Sequence, residues 1–343
     1  MKSTFGKTHE GIDVFKYDLA TKGGLKVSVI NYGATVISLE IPDKNGNLVD
    51  VVLGFDNIDQ YLGDHPYFGA TIGRYCNRIA NGKFEIDGQT FNLTKNNNGN
   101  NLHGGEEKAF HRVVWDIQEF ENEEGVGLNM KHLSKDNDEG FPGNLQVKVT
   151  YFFTHNNEFK ISYSAETDKS THVNLTHHSY FNFTGCKENI FNHEVMINSK
   201  KITEVNDNLI PTGEFKDVKA SVFDFITFKK LGDKLSEIGG TGFDNNYVLD
   251  KHNSDLALAA KVKEQNSGIA LEIYTNEPGI QFYTGYFIDK MKAKNNIVYD
   301  KFYGLALEPQ HFPNSPNTIH FPSTLLKPGE EYKSQTIYRF LIE

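Results

Sequence analysis

Apolar and polar side chains alternate along most of the chain, the period of a half-buried β-strand rather than of a helix. Residues 25–33 (LKVSVINYG) alternate, and 34–43 (ATVISLEIPD) follow directly. In 84–93 (FEIDGQTFNL), Asp87-Gly88 sits between two alternating arms, which predicts a hairpin closed by a type I′ turn. LQVKVTYFFT and EFKISYSAET flank His155-Asn156-Asn157, and ALAAKVKEQ and GIALEIYTN flank Asn266-Ser267-Gly268, predicting two more hairpins. TIYRFLIE ends the sequence as a strand. Helical periodicity is confined to 56–62 and 228–238, each read as a short helix. Turn signals recur throughout, with no Pro/Gly/Ser-rich linker and no fixed-period repeat. Hairpins without β-helix-β alternation predict an all-β fold: one large antiparallel β-sandwich domain spanning 1–343, with few short helices. Two smaller β-domains are the alternative.

Composition narrows the class. The 343 residues are 38% hydrophobic and 13% aromatic, enough for a sizeable core. A net charge of −10 argues against nucleic acid or an anionic membrane as partner. The N-terminal stretch MKSTFGKTHEGIDVFKYDL has no continuous apolar core of the signal-peptide kind, and no run of about 18 apolar residues predicts a membrane span. Two cysteines, Cys76 and Cys186, make no disulfide framework and read as free thiols in a reducing cytoplasm. Monomer and homodimer both remain open.

Candidate chemistry concentrates in five places. In NLTHHSYFNF (174–183) a strand would put Asn174, Thr176, His178, Tyr180 and Asn182 on one face, and Leu175, His177, Ser179, Phe181 and Phe183 on the other. The first face is polar without Lys or Glu, which suits a ligand cleft, although solvent would suit it too. His178 then faces the cleft and His177 the core. Glu308 ends the apolar run LAL and precedes Pro309; it is either a solvated strand-end carboxylate or a general base. NLHGG (101–105) resembles an oxyanion loop, but no G-x-S-x-G elbow accompanies it. Its glycines either let a ligand approach His103 or form an ordinary turn. GRYCNRIA (73–80) places Arg74 and Arg78 in an apolar strand context, suiting a buried ion pair and a ligand-binding fork. In EPGIQFYTG (277–285), Gln281, Tyr283 and Gly285 share one face. His103, His178 and His311 could converge on a metal, but no zinc-type spacing occurs, and no metal is expected.

Taken together, GRYCNRIANGKFEIDG, NLHGG, NLTHHSYFN, TGFDNNYVL, EPGIQFYTG and LEPQHFPNSPN, with FPSTLLKPGEEY after them and NYGATVISLEIPDKNG before, resemble the aldose 1-epimerase (galactose mutarotase) family. The resemblance runs through most of the chain and implies a single large β-sandwich that interconverts the α and β anomers of a small free sugar without a cofactor. By the same resemblance Glu308 is the general base, His178 the general acid and His103 an assistant near the ring oxygen. Asn77, Arg78, Asp244 and Gln281 hold sugar hydroxyls. His177 stands where the motif commonly has Asn, and Pro309 where Thr or Ser is common. A hexose-6-phosphate 1-epimerase and a non-catalytic sugar-binding module are the competing readings. The first needs extra cations, and the second needs no acid–base pair.

Overall fold

Alternating side chains need two chemically different surfaces. The computed structural model, which describes residues 1–251 and 255–343, supplies them by stacking antiparallel sheets. The longest sheet has nine strands in the order Asp116–Asn122, Gly125–Ser134, Leu145–Thr154, Glu158–Thr167, Tyr332–Ile342, Ile269–Thr275, Ala257–Glu264, His193–Ile197 and Lys229–Lys230. Six strands form a second sheet, ordered Tyr180–Phe181, Leu305–Gln310, Gly279–Tyr283, Asp244–Leu249, Ser199–Val205 and Pro211–Asp217. Five N-terminal strands, Lys2–Lys7 through Leu48–Asp50, make a third in simple chain order. Pairing within these sheets is antiparallel.

The pattern decides which face packs. In Leu145–Thr154 the residues Leu145, Val147, Val149 and Tyr151 are buried, while Gln146 and Lys148 are exposed. One apolar cluster draws Tyr151, Ile161 and Phe340 from the nine-stranded sheet, Tyr247, Phe282 and Leu307 from the six-stranded sheet, and Val27 and Leu39 from the N-terminal sheet. Each such side chain stabilises the fold by about 1.5–3 kcal/mol when fully buried.

All three hairpins form in the expected places. Asp87 and Gly88 have φ of 51° and 78°, the paired left-handed conformations a type I′ turn demands. Helices Ile58–Leu62 and Leu231–Glu237 fall within the two predicted segments, and Asn57 caps the first by accepting from Gln60 N.

The segment 174–183 departs from expectation. It is two short pieces, not one strand: Thr176–His177 pairs with Thr71–Ile72, and Tyr180–Phe181 pairs with Leu305 and Ala306. The expected polar face is largely spent on neighbouring backbone. Asn174 bonds His311 through both its amide atoms, Thr176 Oγ1 donates to Pro309 O, and Asn182 Nδ2 donates to Glu188 O and Tyr303 O. Only His178 and Tyr180 of that face reach the cleft.

Candidate active site

The floor of the cleft is the middle of the six-stranded sheet. Gln281 lies directly across from Glu308, and Asp244 across from Tyr283 on the next strand. Gln281 Nε2 donates to Asp244 Oδ1 at 2.6 Å, which fixes both side chains. Glu308 is not a solvated strand end: Leu305–Gln310 is buried at every position, and Glu308 is 2% exposed.

His178 enters from the side. Its backbone is clamped by two 3.0 Å bonds, Gly69 N to His178 O and His178 N to Ala70 O. Its Nε2 lies 3.4 Å from Glu308 Oε1, and the Tyr180 ring stacks on it at 4.9 Å. His103 comes from the NLHGG loop. Asn77 N donates to His103 Nδ1 at 3.2 Å, and His103 N donates to Asn77 O at 3.1 Å. A ring nitrogen that accepts leaves the other as the N–H, so neutral His103 offers Nε2–H as a donor. The glycines of this loop serve packing rather than ligand approach. Gly104 has φ 85°, and a Cβ there would stand 2.2 Å from Gly73 O.

Arg78 Nε donates to Asn97 Oδ1 at 3.1 Å, and its terminal nitrogens make no hydrogen bond with described residues, leaving them for a ligand. Asn77 spends its Oδ1 on Arg78 N, so its main contribution is holding His103 through its backbone. Arg74 is buried too, but as a framework group. It donates to Pro142 O, Gly143 O, Ser134 O and Ser134 Oγ, a cage of neutral oxygens rather than the ion pair that was one reading of the two arginines.

The cleft has a volume of about 500 Å³, and all seven residues singled out in the sequence line it: Asn77, Arg78, His103, His178, Asp244, Gln281 and Glu308. Tyr67, Tyr283, Leu209 and Phe287 line it as well. Of these, only Tyr283 shared a face with a predicted residue; loop geometry places the others, and periodicity carries no trace of it. A depression of about 510 Å³ on the nine-stranded sheet is lined by groups such as Asp116, Lys131 and Glu166 and gathers no buried acid–base pair.

Burial governs the electrostatics. It pushes the Glu308 carboxyl well above the usual range; Asp244 adds to this and Arg78 opposes it. Burial pulls His178 down to about 3 and His103 well below its usual value. Burial therefore favours an uncharged pair, Glu308 as the acid beside neutral His178. A Glu⁻ with a His⁺ carries the same number of protons but is the less stable arrangement there.

His311, the third histidine considered for a metal, lies elsewhere, its Nδ1 bonded to Glu277 Oε2 at 2.6 Å. The ligand atoms of His103, His178 and Glu308 do fall within 4.8 Å of one another. That spacing suits a cation or a sugar oxygen, so geometry alone does not choose.

The fold and cleft define a class: a large antiparallel β-sandwich with a buried carboxyl–imidazole pair ringed by Arg78, Asp244 and Gln281. The chain belongs to the aldose 1-epimerase family, whose model matches residues 16–339. It is 42% identical to galactose mutarotase of Sus scrofa over 343 residues, covering 99% of this chain and 98% of that protein. It is 34% identical to aldose 1-epimerase of Escherichia coli K12 over 331 residues, covering 95% and 94%. Among solved structures, an aldose epimerase homologue from C. elegans superposes with a TM-score of 0.88 at 32% identity, covering 95% of this chain and 98% of that one. A galactose 1-epimerase from Lactobacillus acidophilus shares the fold at a TM-score of 0.87 and 24% identity, covering 100% and 98%.

Proposed function

We propose that this chain interconverts the α and β anomers of free aldohexoses such as galactose and glucose, with Glu308 as base and His178 as acid. The observation that carries the reading is the 3.4 Å approach of His178 Nε2 to Glu308 Oε1, both buried at the floor of the cleft. Ring opening removes the proton from the C1 hydroxyl and breaks the bond between C1 and the ring oxygen, which takes up a proton. The open aldehyde turns about C1–C2, and the steps reverse. One proton shared by the two groups serves both directions, and each group contributes roughly 10²–10⁴-fold. Sugar binding must move that proton from Glu308 to His178, and Arg78, which favours the carboxylate, supports this shift. His103 Nε2–H is free to donate to the ring oxygen. Asp244, Gln281 and Arg78 hold distal hydroxyls and leave C1 able to rotate.

The hexose-6-phosphate alternative needs cations at the mouth. The cleft is lined there by Asn97, Asn98, Asp207, Asn208, Leu209 and Phe287, and Arg78 is the one Lys or Arg among the described lining residues. A free sugar fits this better. We read 1–343 as one domain, on the support of an apolar cluster shared by all three large sheets. We place the protein in the cytoplasm, a reading its two free buried cysteines support, and take it to be a monomer or homodimer. Among the described residues, no helix is long and apolar enough to cross a membrane.

Polarimetry of freshly dissolved α-D-galactose tests the reading. Folded protein that leaves the spontaneous rate unchanged would sink it. Faster mutarotation of glucose 6-phosphate than of glucose would install the alternative.

A further inference from the structure

Tyr67 is held at φ 61°, a left-handed conformation that is unusual and strained for a bulky residue. Its ring centroid lies 4.5 Å from that of His103, 4.9 Å from His111 and 5.7 Å from His178. The two cleft imidazoles are themselves 5.3 Å apart, so one phenol ring touches both. Tyr67 also stands between two spaces. One side lines the reaction cleft, and it lines as well a second cavity of about 620 Å³ with His65, His111 and Arg112. The backbone that carries it continues into Gly69 and Ala70, the residues that clamp His178.

We propose that Tyr67 is a positioning residue that seals the reaction cleft from this second cavity and sets the orientation of both imidazoles. The inference rests on the reading of Glu308 and His178 as the acid–base pair. Burial is the first cause of the shifts in both groups. Water entering past residue 67 would make Glu308 more acidic and His178 more basic. Facing the pair within the cleft are Arg78, Asp244, His103, Tyr180 and Tyr283. Cys76 and Tyr338 feel the Glu308 charge from within the protein, and His65, His111 and Arg112 stand beyond Tyr67. A substitution at Tyr67 adds or removes none of these charges, so a change in titration reports hydration and ring position.

The sign follows from counting protons. The working pair holds one. While the pair stays buried, a second proton must land on neutral His178, which resists it until about pH 3. Once water reaches the pair, its one-proton form is Glu⁻ with His⁺, and the second proton lands on a carboxylate of ordinary acidity, about 4.3. Hydration therefore moves the acid limb of activity toward neutral pH.

The test compares Tyr67→Leu and Tyr67→Phe in the full chain, by polarimetry across pH and by NMR titration of the histidine rings. Tyr67→Leu is expected to lower kcat at least about tenfold with KM changed less than about threefold. Its acid limb should move toward neutral pH, and the His178 resonance should titrate at higher pH. Tyr67→Phe, which keeps the ring, should stay within about threefold of the parent with its acid limb unmoved. If Tyr67→Leu does not fold, Tyr67→Met opens the same passage. A Leu or Met variant whose acid limb and His178 titration are unchanged overturns the proposal, however much kcat falls. So does a Phe variant as impaired as the Leu variant. A parent protein without mutarotase activity refutes the functional reading, and the NMR titration then still decides whether Tyr67 seals the cleft.

Discussion

His177 Nδ1 lies 3.0 Å from the Tyr151 hydroxyl, and its Nε2 lies 2.7 Å from Ser179 Oγ. Tyr151 in turn donates to Ala34 O at 2.9 Å and bonds Thr71 Oγ1 at 2.8 Å. His177 therefore ties the long sheet to the segment that presents His178, and it does so from the core. Adjacent in sequence, the two histidines belong to separate networks.

His177→Asn is accordingly expected to lower stability by about 1–3 kcal/mol, the range for leaving buried partners unsatisfied, with kcat within about threefold of the parent. His178→Asn should lower kcat at least about a hundredfold with little change in melting temperature. Denaturant melts and polarimetry on both variants separate the roles. The opposite assignment of kcat losses would reverse them.

Glu308→Gln should also lose at least about a hundredfold in kcat. Its stability should change little, because burial already holds the Glu308 carboxyl uncharged and Gln keeps its size and polarity. A large drop in melting temperature would show that the carboxyl is structural.

The two arginines of GRYCNRIA should separate cleanly. Arg74→Met leaves several buried carbonyls without donors and is expected to cost about 3 kcal/mol or more. Arg78→Met, at the cleft, should raise KM at least about tenfold with a smaller stability loss. Equal KM effects from the two would contradict the assignment.

Acid should unfold the protein early. His172, His177, His178 and His193 are buried neutral, held down to about 4, 3, 3 and 4. In the unfolded chain each titrates near 6.5. Their contribution is complete above that value and is lost as pH falls from there toward 3–4, by up to about 1.4 kcal/mol per histidine per pH unit. Melting temperature should fall steadily below neutral pH. A flat profile from neutrality down to the carboxylate range would refute the buried-neutral state.

Mutarotation should persist in excess chelator. Loss of activity, restored by one added divalent cation, would instead make His103, His178 and Glu308 ligands of a metal.

Much of this was legible from local pattern. Asp87-Gly88 closes its hairpin because few residue pairs tolerate two left-handed turn positions, and that demand is written in two adjacent letters. Gln281 and Tyr283 share the cleft because strand alternation governs both. The polar face of 174–183 was misjudged because alternation reports which way a side chain points, not what awaits it. Asn174, Thr176 and Asn182 meet backbone, whereas His178 meets open space. Tyr67 was invisible for a related reason: its place between the cavities depends on loops brought together from distant parts of the chain.

The caged Arg74 has a kinetic consequence. Its partners lie 60 to 97 residues further along the chain, and the neighbouring Cys76 Sγ meets Gln310 Oε1 across 234 residues. Hairpins such as the one joining Leu145–Thr154 to Glu158–Thr167 close over a three-residue turn and can form within microseconds. The cleft joins residues as far apart as Arg78 and Glu308, so its assembly requires closing long loops, the slow events expected in a topology of distant contacts. On dilution from denaturant, recovery of sheet structure should run ahead of catalysis, and return of the enzymatic rate marks completion of the chain's most distant pairings.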